Sequence, residues 1–150
     1  MTRTQQTTPN LAQRYTDAWN SHDGSAVAAC FADGAIYLEL ALGERFEGRD
    51  AIRQFVNDVS VSLSTDYSFT LGQVLITDDA YAFKWTMSGT NDRPDAQRGL
   101  PGTGKHFEFP GVAIGRLRNG QIVENKSYWN LATYLMQLGL TLEQAAPPQP

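Results

Sequence analysis

The sequence predicts an α+β domain in which N-terminal helices lie across a bent sheet of mostly antiparallel strands and a last helix closes the chain. Three observations carry that expectation. Apolar residues gather on one helical face in three segments, around Leu11–Trp19, Ile52–Val59 and Leu131–Leu138. Tyr81, Phe83, Trp85 and Met87 alternate with Ala82, Lys84 and Thr86, the period-two pattern of a strand with one apolar side. Asn119-Gly120 stands between two strand-like runs, and this pair tolerates the positive φ angles of a two-residue hairpin turn.

Residues 1–9 are polar and expected to be flexible. Pro9-Asn10 suits a helix start, with Asn10 as the cap, and Leu11, Tyr15, Ala18 and Trp19 form the buried face. Asn20-Ser21-His22-Asp23-Gly24 breaks that helix, and a second follows through Val27, Cys30 and Phe31. Asp33-Gly34 reads as a turn, 35–40 as a strand and 43–48 as a loop. A third helix opens at Arg49-Asp50 and buries Ile52, Phe55, Val56 and Val59. Tyr67, Phe69 and Leu71 then alternate as a strand, and Thr77-Asp78-Asp79 turns the chain into the Tyr81–Met87 run.

Residues 91–104 form a long loop rich in Gly, Pro and charge, of the kind that acts as a lid or stays disordered. Residues 106–117 read as a long strand with a bulge or bend at Pro110-Gly111. After the hairpin a strand leads to Trp129-Asn130. The closing helix presents Leu131, Tyr134, Leu135 and Leu138 and ends at Gly139, a residue suited to the left-handed position beyond a helix. A single domain is expected over 10–140, followed by a flexible Pro-rich tail over 141–150.

A chain of 150 residues is large enough for one domain with a real core. The net charge of −4 and the absence of a Lys/Arg cluster argue against nucleic-acid binding. No apolar run is long enough to span a bilayer, and MTRTQQTTPN lacks the apolar centre of a secretory signal, so a cytoplasmic protein with no membrane partner is expected. The single cysteine, Cys30, allows no internal disulfide, and its apolar helical setting makes it a buried thiol rather than a nucleophile.

Gly99 to His106 nearly spells a phosphate-binding loop, but His106 replaces the Ser or Thr after the lysine and a strand follows instead of a helix. His22 and His106 have no partners at metal-ligand spacing, so neither a metal nor a cofactor is expected. No Gly-x-Ser-x-Gly elbow is present to seat a hydrolase triad.

Glu39 is an acid in the otherwise apolar strand Ile36–Leu40. Turned inward, it would be desolvated and its pKa raised toward that of a useful general base; turned outward, it is a surface residue. Asn130 either hydrogen-bonds a ligand carbonyl or caps the last helix. Trp85, Phe107 and Trp129 either line an apolar cavity or fill the core.

Gly120-Gln-Ile-Val-Glu124 with Gln137-Leu138-Gly139 resembles the closing motif of the SnoaL-like polyketide cyclases. These belong to the nuclear transport factor 2 superfamily, with ketosteroid isomerases and limonene epoxide hydrolases. The resemblance runs from about Leu11 to Gly139 and includes Asn20-Ser21-His22-Asp23, Phe31-Ala32-Asp33-Gly34-Ala35, Phe46-Glu47-Gly48-Arg49-Asp50-Ala51-Ile52 and Gly102-Thr103-Gly104-Lys105. It implies a cone-shaped, barrel-like fold with a pocket between helices and sheet, a homodimer, and acid/base chemistry on a small hydrophobic carbonyl compound, polyketide- or steroid-like, by aldol-type cyclisation or isomerisation.

By the same resemblance Glu39 stands where ketosteroid isomerases hold their base, and Tyr15 where they hold an oxyanion donor. Their second donor, an Asp, falls at Ala113 or Ile114 here. The cyclases' acid/base Asp falls at Asn130, and Asn91 occupies a position that is often His. The expected catalytic set is Glu39, Tyr15 and Asn130, with Trp19, Trp85, Asn91, Phe107, Ile114, Arg116 and Trp129 against the ligand. Asn130 in place of Asp also favours the alternative of a hydrophobic-ligand-binding protein without turnover. Epoxide hydrolysis would need an Asp-Arg-Asp set that does not assemble.

Overall fold

The computed structural model describes residues 2–145; Met1 and residues 146–150 of the expected tail lie outside the described residues. The elements run α1 (Thr2–Asn20), α2 (Gly24–Ala28), β1 (Phe31–Glu39), β2 (Glu44–Glu47), α3 (Arg49–Ser62), β3 (Ser68–Ile76), β4 (Ala80–Thr90), β5 (His106–Arg118), β6 (Gln121–Trp129), α4 (Leu131–Leu138) and α5 (Leu142–Ala145). The six strands make one sheet in the order β2-β1-β6-β5-β4-β3. All neighbours are antiparallel except β1 and β6, which run parallel. Register shifts in β1, β3 and the β5–β6 pair bend the sheet, which stays open at β2 and β3 rather than closing into a barrel.

The expected faces are the buried ones. Leu11, Tyr15, Ala18 and Trp19 of α1 are buried, and Trp19 sits among Tyr37, Phe55, Tyr67 and Phe69 at ring separations of 5.3–6.5 Å. Ile52 and Val56 of α3 are completely buried. Each such aliphatic side chain stabilises the fold by about 1.5–3 kcal/mol. In β4, Tyr81, Phe83 and Met87 are buried and Trp85 is half-buried. Asn119 (φ 53°) and Gly120 (φ 76°) form the two-residue turn between β5 and β6, with Arg118 paired to Gln121. Asp23 caps α2 by accepting from the Ser25 amide, and Cys30 is buried.

Several local expectations are corrected. Helix α1 begins at Thr2, upstream of the Pro9-Asn10 start. Glu44–Glu47 is a strand, β2, rather than a loop; only Phe46 marks its inner side, too short an alternation to read. Asp33-Gly34 lies inside β1, where Gly34 (φ 74°) accompanies the register shift between Phe31 and Ile36. Pro110-Gly111 is no bulge, because β4 and β5 pair without interruption from Ala80↔Arg116 to Thr90↔His106. Pro110 stands one residue outside the stretch of β5 that pairs with β6. Gly111 is required by close approach: a Cβ there would lie 2.2 Å from the Trp85 ring.

No helix among the described residues is long and apolar enough to cross a membrane. The helices α1, α3 and α4 cover the concave face of the sheet and leave a cavity against it.

Candidate functional site

The cavity has a volume of about 640 Å³, within the range of small-molecule sites. Its body is apolar: Trp19, Phe46, Phe55, Phe69, Phe83, Trp85, Met87 and Phe109 come from six strands or helices, and Leu131, Tyr134, Leu135 and Leu138 from α4. Loop residues Arg93, Asp95, Arg98, Leu100 and Pro101 form one wall.

That loop is held at both ends. Asn91 donates through Nδ2 to the Leu63 carbonyl at 3.1 Å, and its Oδ1 accepts from the Thr103 amide and hydroxyl, each at 2.9 Å. Arg98 bridges to Asp95 at 3.0 Å and to Glu44 of β2 at 3.4 Å, fastening the loop to the sheet edge. The segment resembling a phosphate loop is thus the return of this loop into β5, clasped by Asn91.

Glu39 is the acid inside. Ala35, Tyr37 and Glu39 share the inner face of β1, while Leu40 is turned out, and Glu39 retains 6% of its surface. Trp129 Nε1 donates to its Oε1 at 2.7 Å, and Trp129 is itself fixed by stacking on Phe109 at 4.8 Å. Burial pushes the Glu39 pKa up to about 7; the Trp129 and Ala41 hydrogen bonds oppose the rise and Glu44 adds to it. A carboxyl poised there can take a proton from a weakly acidic carbon and return it near neutral pH.

Tyr15 also faces this end of the cavity. It is 4% exposed, lies edge-on to Phe31 and Phe83, and its hydroxyl makes no hydrogen bond among the described residues. Burial raises its pKa, so the phenol stays protonated and can only donate or accept as a neutral group. Ionised Glu39 would raise both Tyr15 and Tyr37 further, so the carboxyl and both phenols stand in one electrostatic neighbourhood.

A buried polar chain that sequence reasoning missed runs along the same wall. Tyr81 donates to Asn125 Oδ1 at 2.5 Å, Asn125 Nδ2 donates to Ser127 Oγ at 3.2 Å, and Ser127 Oγ meets Tyr37 Oη at 2.9 Å. Period-two parity could have placed Asn125 and Ser127 on the face opposite Tyr128, but no local signal joins them to Tyr37 and Tyr81.

Of the expected site residues, the structure brings Glu39, Tyr15, Trp19, Trp85, Asn91 and Trp129 to the cavity. Four others lie elsewhere. Asn130 is exposed, and its Oδ1 accepts from the Thr133 amide at 3.1 Å as the N-cap of α4. Ile114 is 45% exposed and Arg116 pairs with Glu124 at 3.6 Å, both on the outer face, because even-numbered positions of β5 point away from Phe107, Phe109 and Ala113. Phe107 is on the inner side but wholly buried, packed edge-on against Tyr134, and fills the core beyond the cavity. No group of three or more His, Cys, Asp or Glu among the described residues is placed to hold a metal ion.

The sequence profile of the SnoaL-like domain matches residues 12–125. The chain belongs to the SnoaL-like domain family. No curated protein is significantly similar to it in sequence. Among solved structures, a hypothetical protein with a ketosteroid isomerase-like fold from Catenulispora acidiphila, in complex with trimethylamine, superposes with a TM-score of 0.79 at 20% identity, covering 91% of this chain and 97% of that one. A candidate polyketide cyclase from Xanthomonas campestris pv. campestris gives 0.71 at 25% identity over 89% and 97%. IdmH, a candidate polyketide cyclase from Streptomyces antibioticus, gives 0.70 at 24% identity over 89% and 99%. The SnoaL-like fold is therefore this chain's fold, and Asn130 occupies the junction before its closing helix as a cap.

Proposed function

We propose that this SnoaL-like protein is a cofactor-free enzyme that abstracts and returns a proton beside the carbonyl of a small hydrophobic compound, polyketide- or steroid-like, in an aldol-type cyclisation or an isomerisation. The observation that carries the reading is Glu39: a carboxyl buried in an apolar cavity, with a pKa near 7 and one indole donor. Glu39 takes the proton. Tyr15 donates to the oxygen on which charge develops. The family and the candidate cyclases of similar fold support the substrate class.

A thermal-shift screen of polycyclic ketones followed by turnover assays tests it. Glu39→Gln keeps shape and hydrogen bonding but removes the base, so turnover should fall about 10²–10⁴-fold with affinity little changed. Turnover that survives the substitution would end the case for Glu39.

A second reading is a hydrophobic-ligand carrier of the same fold. It is favoured by Asn130, whose amide is committed to the α4 cap where the cyclases' Asp would be expected. Tight ketone binding without turnover in the unmodified protein selects it. We also propose a homodimer through the outer face of the sheet, where Ile114 and Tyr128 expose apolar surface. Sedimentation that finds only a 16.6 kDa species at micromolar concentration would contradict it.

A further inference from the structure

Glu39 faces a second acid. Strands β1 and β2 run antiparallel, and Glu39 is the direct cross-strand partner of Glu44. Directly opposite residues share a face of the sheet, so Glu44 points inward with Phe46, and both acids line the cavity. Arg45 and Glu47 take the other parity and pair with each other in solvent at 3.0 Å. Carboxylates opposite one another repel, and the more buried of the two answers by holding its proton more tightly. Burial is the larger cause of the raised Glu39 pKa, and the Glu44 charge adds to it.

The two acids differ in their partners. Glu39 is met by the Trp129 indole and the Ala41 backbone, neither of them charged. Glu44 is met by Arg98, whose Nη2 lies 3.4 Å from its Oε2. The loop is built to hold Arg98 there. Arg98 Nη1 bridges to Asp95 at 3.0 Å, and Asp95 Oδ1 accepts from the amides of Gln97 and Arg98 at 3.1 and 3.2 Å. Asp95 and Leu100 exchange both backbone hydrogen bonds, each at 3.0 Å. Arg98 Nε is buried with no partner among the described residues, so the guanidinium is set for its two carboxylates at the expense of a third donor. The Arg98 and Asp95 side chains keep 17% of their surface and Glu44 33%, a setting in which ion pairs are less screened than in open solvent. The other charged side chains on the cavity wall, among the described residues, are Asp58 of α3 and Arg93 of the loop. Of the buried phenols, Tyr15 and Tyr37 sense the charge on Glu39, and Tyr134 of α4 senses Asp95 and Arg98.

We propose that Arg98 is a positioning residue for Glu39: by pairing with Glu44 it takes up the opposing charge across the β1–β2 ladder and leaves Glu39 free to exchange its proton with the ligand. This rests on the reading of Glu39 as the base and adds its control. The 91–104 loop then does more than wall the cavity. With Arg98 on Glu44 the base works near neutral pH. Without it the two acids share a proton, and the base is withheld until higher pH. Arg98 and Glu44 act on Glu39 by charge and make no contact with the reacting atoms.

The test is a ¹³C NMR titration of the full chain, labelled at the glutamate side-chain carboxyls and free of ligand. The Glu39 signal is the one absent from Glu39→Gln. Glu44→Gln should lower the Glu39 midpoint by about 0.5–1 pH unit, the size of one partly screened neighbouring charge. Arg98→Met should raise it by a similar amount, but should have no effect when added to Glu44→Gln. The pH profile of α-proton exchange in 2-tetralone should move with these midpoints.

A Glu39 midpoint unmoved by Glu44→Gln would overturn the proposal. So would an Arg98→Met shift of equal size with and without Glu44, which would mean that Arg98 acts by excluding water. Glu44→Gln decides the matter if Arg98→Met does not fold. Midpoints that move as expected in a protein that catalyses no exchange remove the base reading alone. Exchange that requires Glu39 but keeps its pH profile in Glu44→Gln removes this proposal alone.

Discussion

Replacing Glu39 by Gln should change the stability of the protein in a way that depends on pH and needs no substrate. The Glu39 carboxyl rises from an ordinary 4.5 to about 7 because burial penalises its charge. Below pH 4.5 folded and unfolded chains both hold the proton, and the carboxyl costs nothing. Between pH 4.5 and 7 the unfolded chain sheds the proton while the folded chain keeps it, so stability falls as pH rises. Above pH 7 the full penalty is present, about 3 kcal/mol at about 1.4 kcal/mol per pH unit. A neutral Gln, which still accepts from Trp129, carries no such term. The Tm of Glu39→Gln minus that of the unmodified protein should therefore be roughly 6–12 °C more positive at pH 8.5 than at pH 4.5, at about 2–4 °C per kcal/mol for a chain of this size. Thermal unfolding followed by circular dichroism at both pH values measures it. A Tm difference that is the same at both values would mean that Glu39 is solvated in the folded protein, and the base assignment would lose its physical ground.

Trp129→Phe removes the indole donor that holds the Glu39 pKa down, so the midpoint of the pH-dependent stability should move higher, and ¹³C NMR of the labelled carboxyl should report the same direction. Asn130→Ala should cost about 1 kcal/mol as a lost helix cap and leave ketone affinity unchanged, whereas Asn130→Asp, an equally good cap, should alter neither; a gain of activity on Asn130→Asp would show that this position reaches the ligand after all. Hydrogen exchange should be faster in residues 92–102 than in β4, because that stretch has one isolated bridge, Asp95↔Leu100, in place of a continuous ladder, and protection equal to β4 would rule out the lid expected from the sequence.

The fold was legible wherever periodicity ran long enough. Seven residues of strict alternation placed β4, three helical faces placed α1, α3 and α4, and Asn119-Gly120 and Gly139 marked a hairpin and a helix end by the backbone angles they tolerate. Glu39 stood out as an acid among apolar neighbours, and its parity with Tyr37 settles which way it points. What stayed hidden depends on distance along the chain. The parallel pairing of β1 with β6 joins segments about ninety residues apart, and the Tyr81–Asn125–Ser127–Tyr37 chain exists only once that pairing has formed. Asn130 carried two equal readings because the same amide oxygen suits a ligand or a cap. Ile114 and Arg116 were misplaced although their parity with exposed His106 and Glu108 was available in the sequence.

The central claim is that Glu39 removes a proton beside a ligand carbonyl. Exchange of the α-protons of 2-tetralone in D₂O, followed by ¹H NMR, tests it without knowledge of the final product. The account predicts exchange accelerated by the unmodified protein, rising with pH through an apparent pKa near 7, and reduced about 10²–10⁴-fold in Glu39→Gln. Equal exchange rates for the two proteins would contradict it.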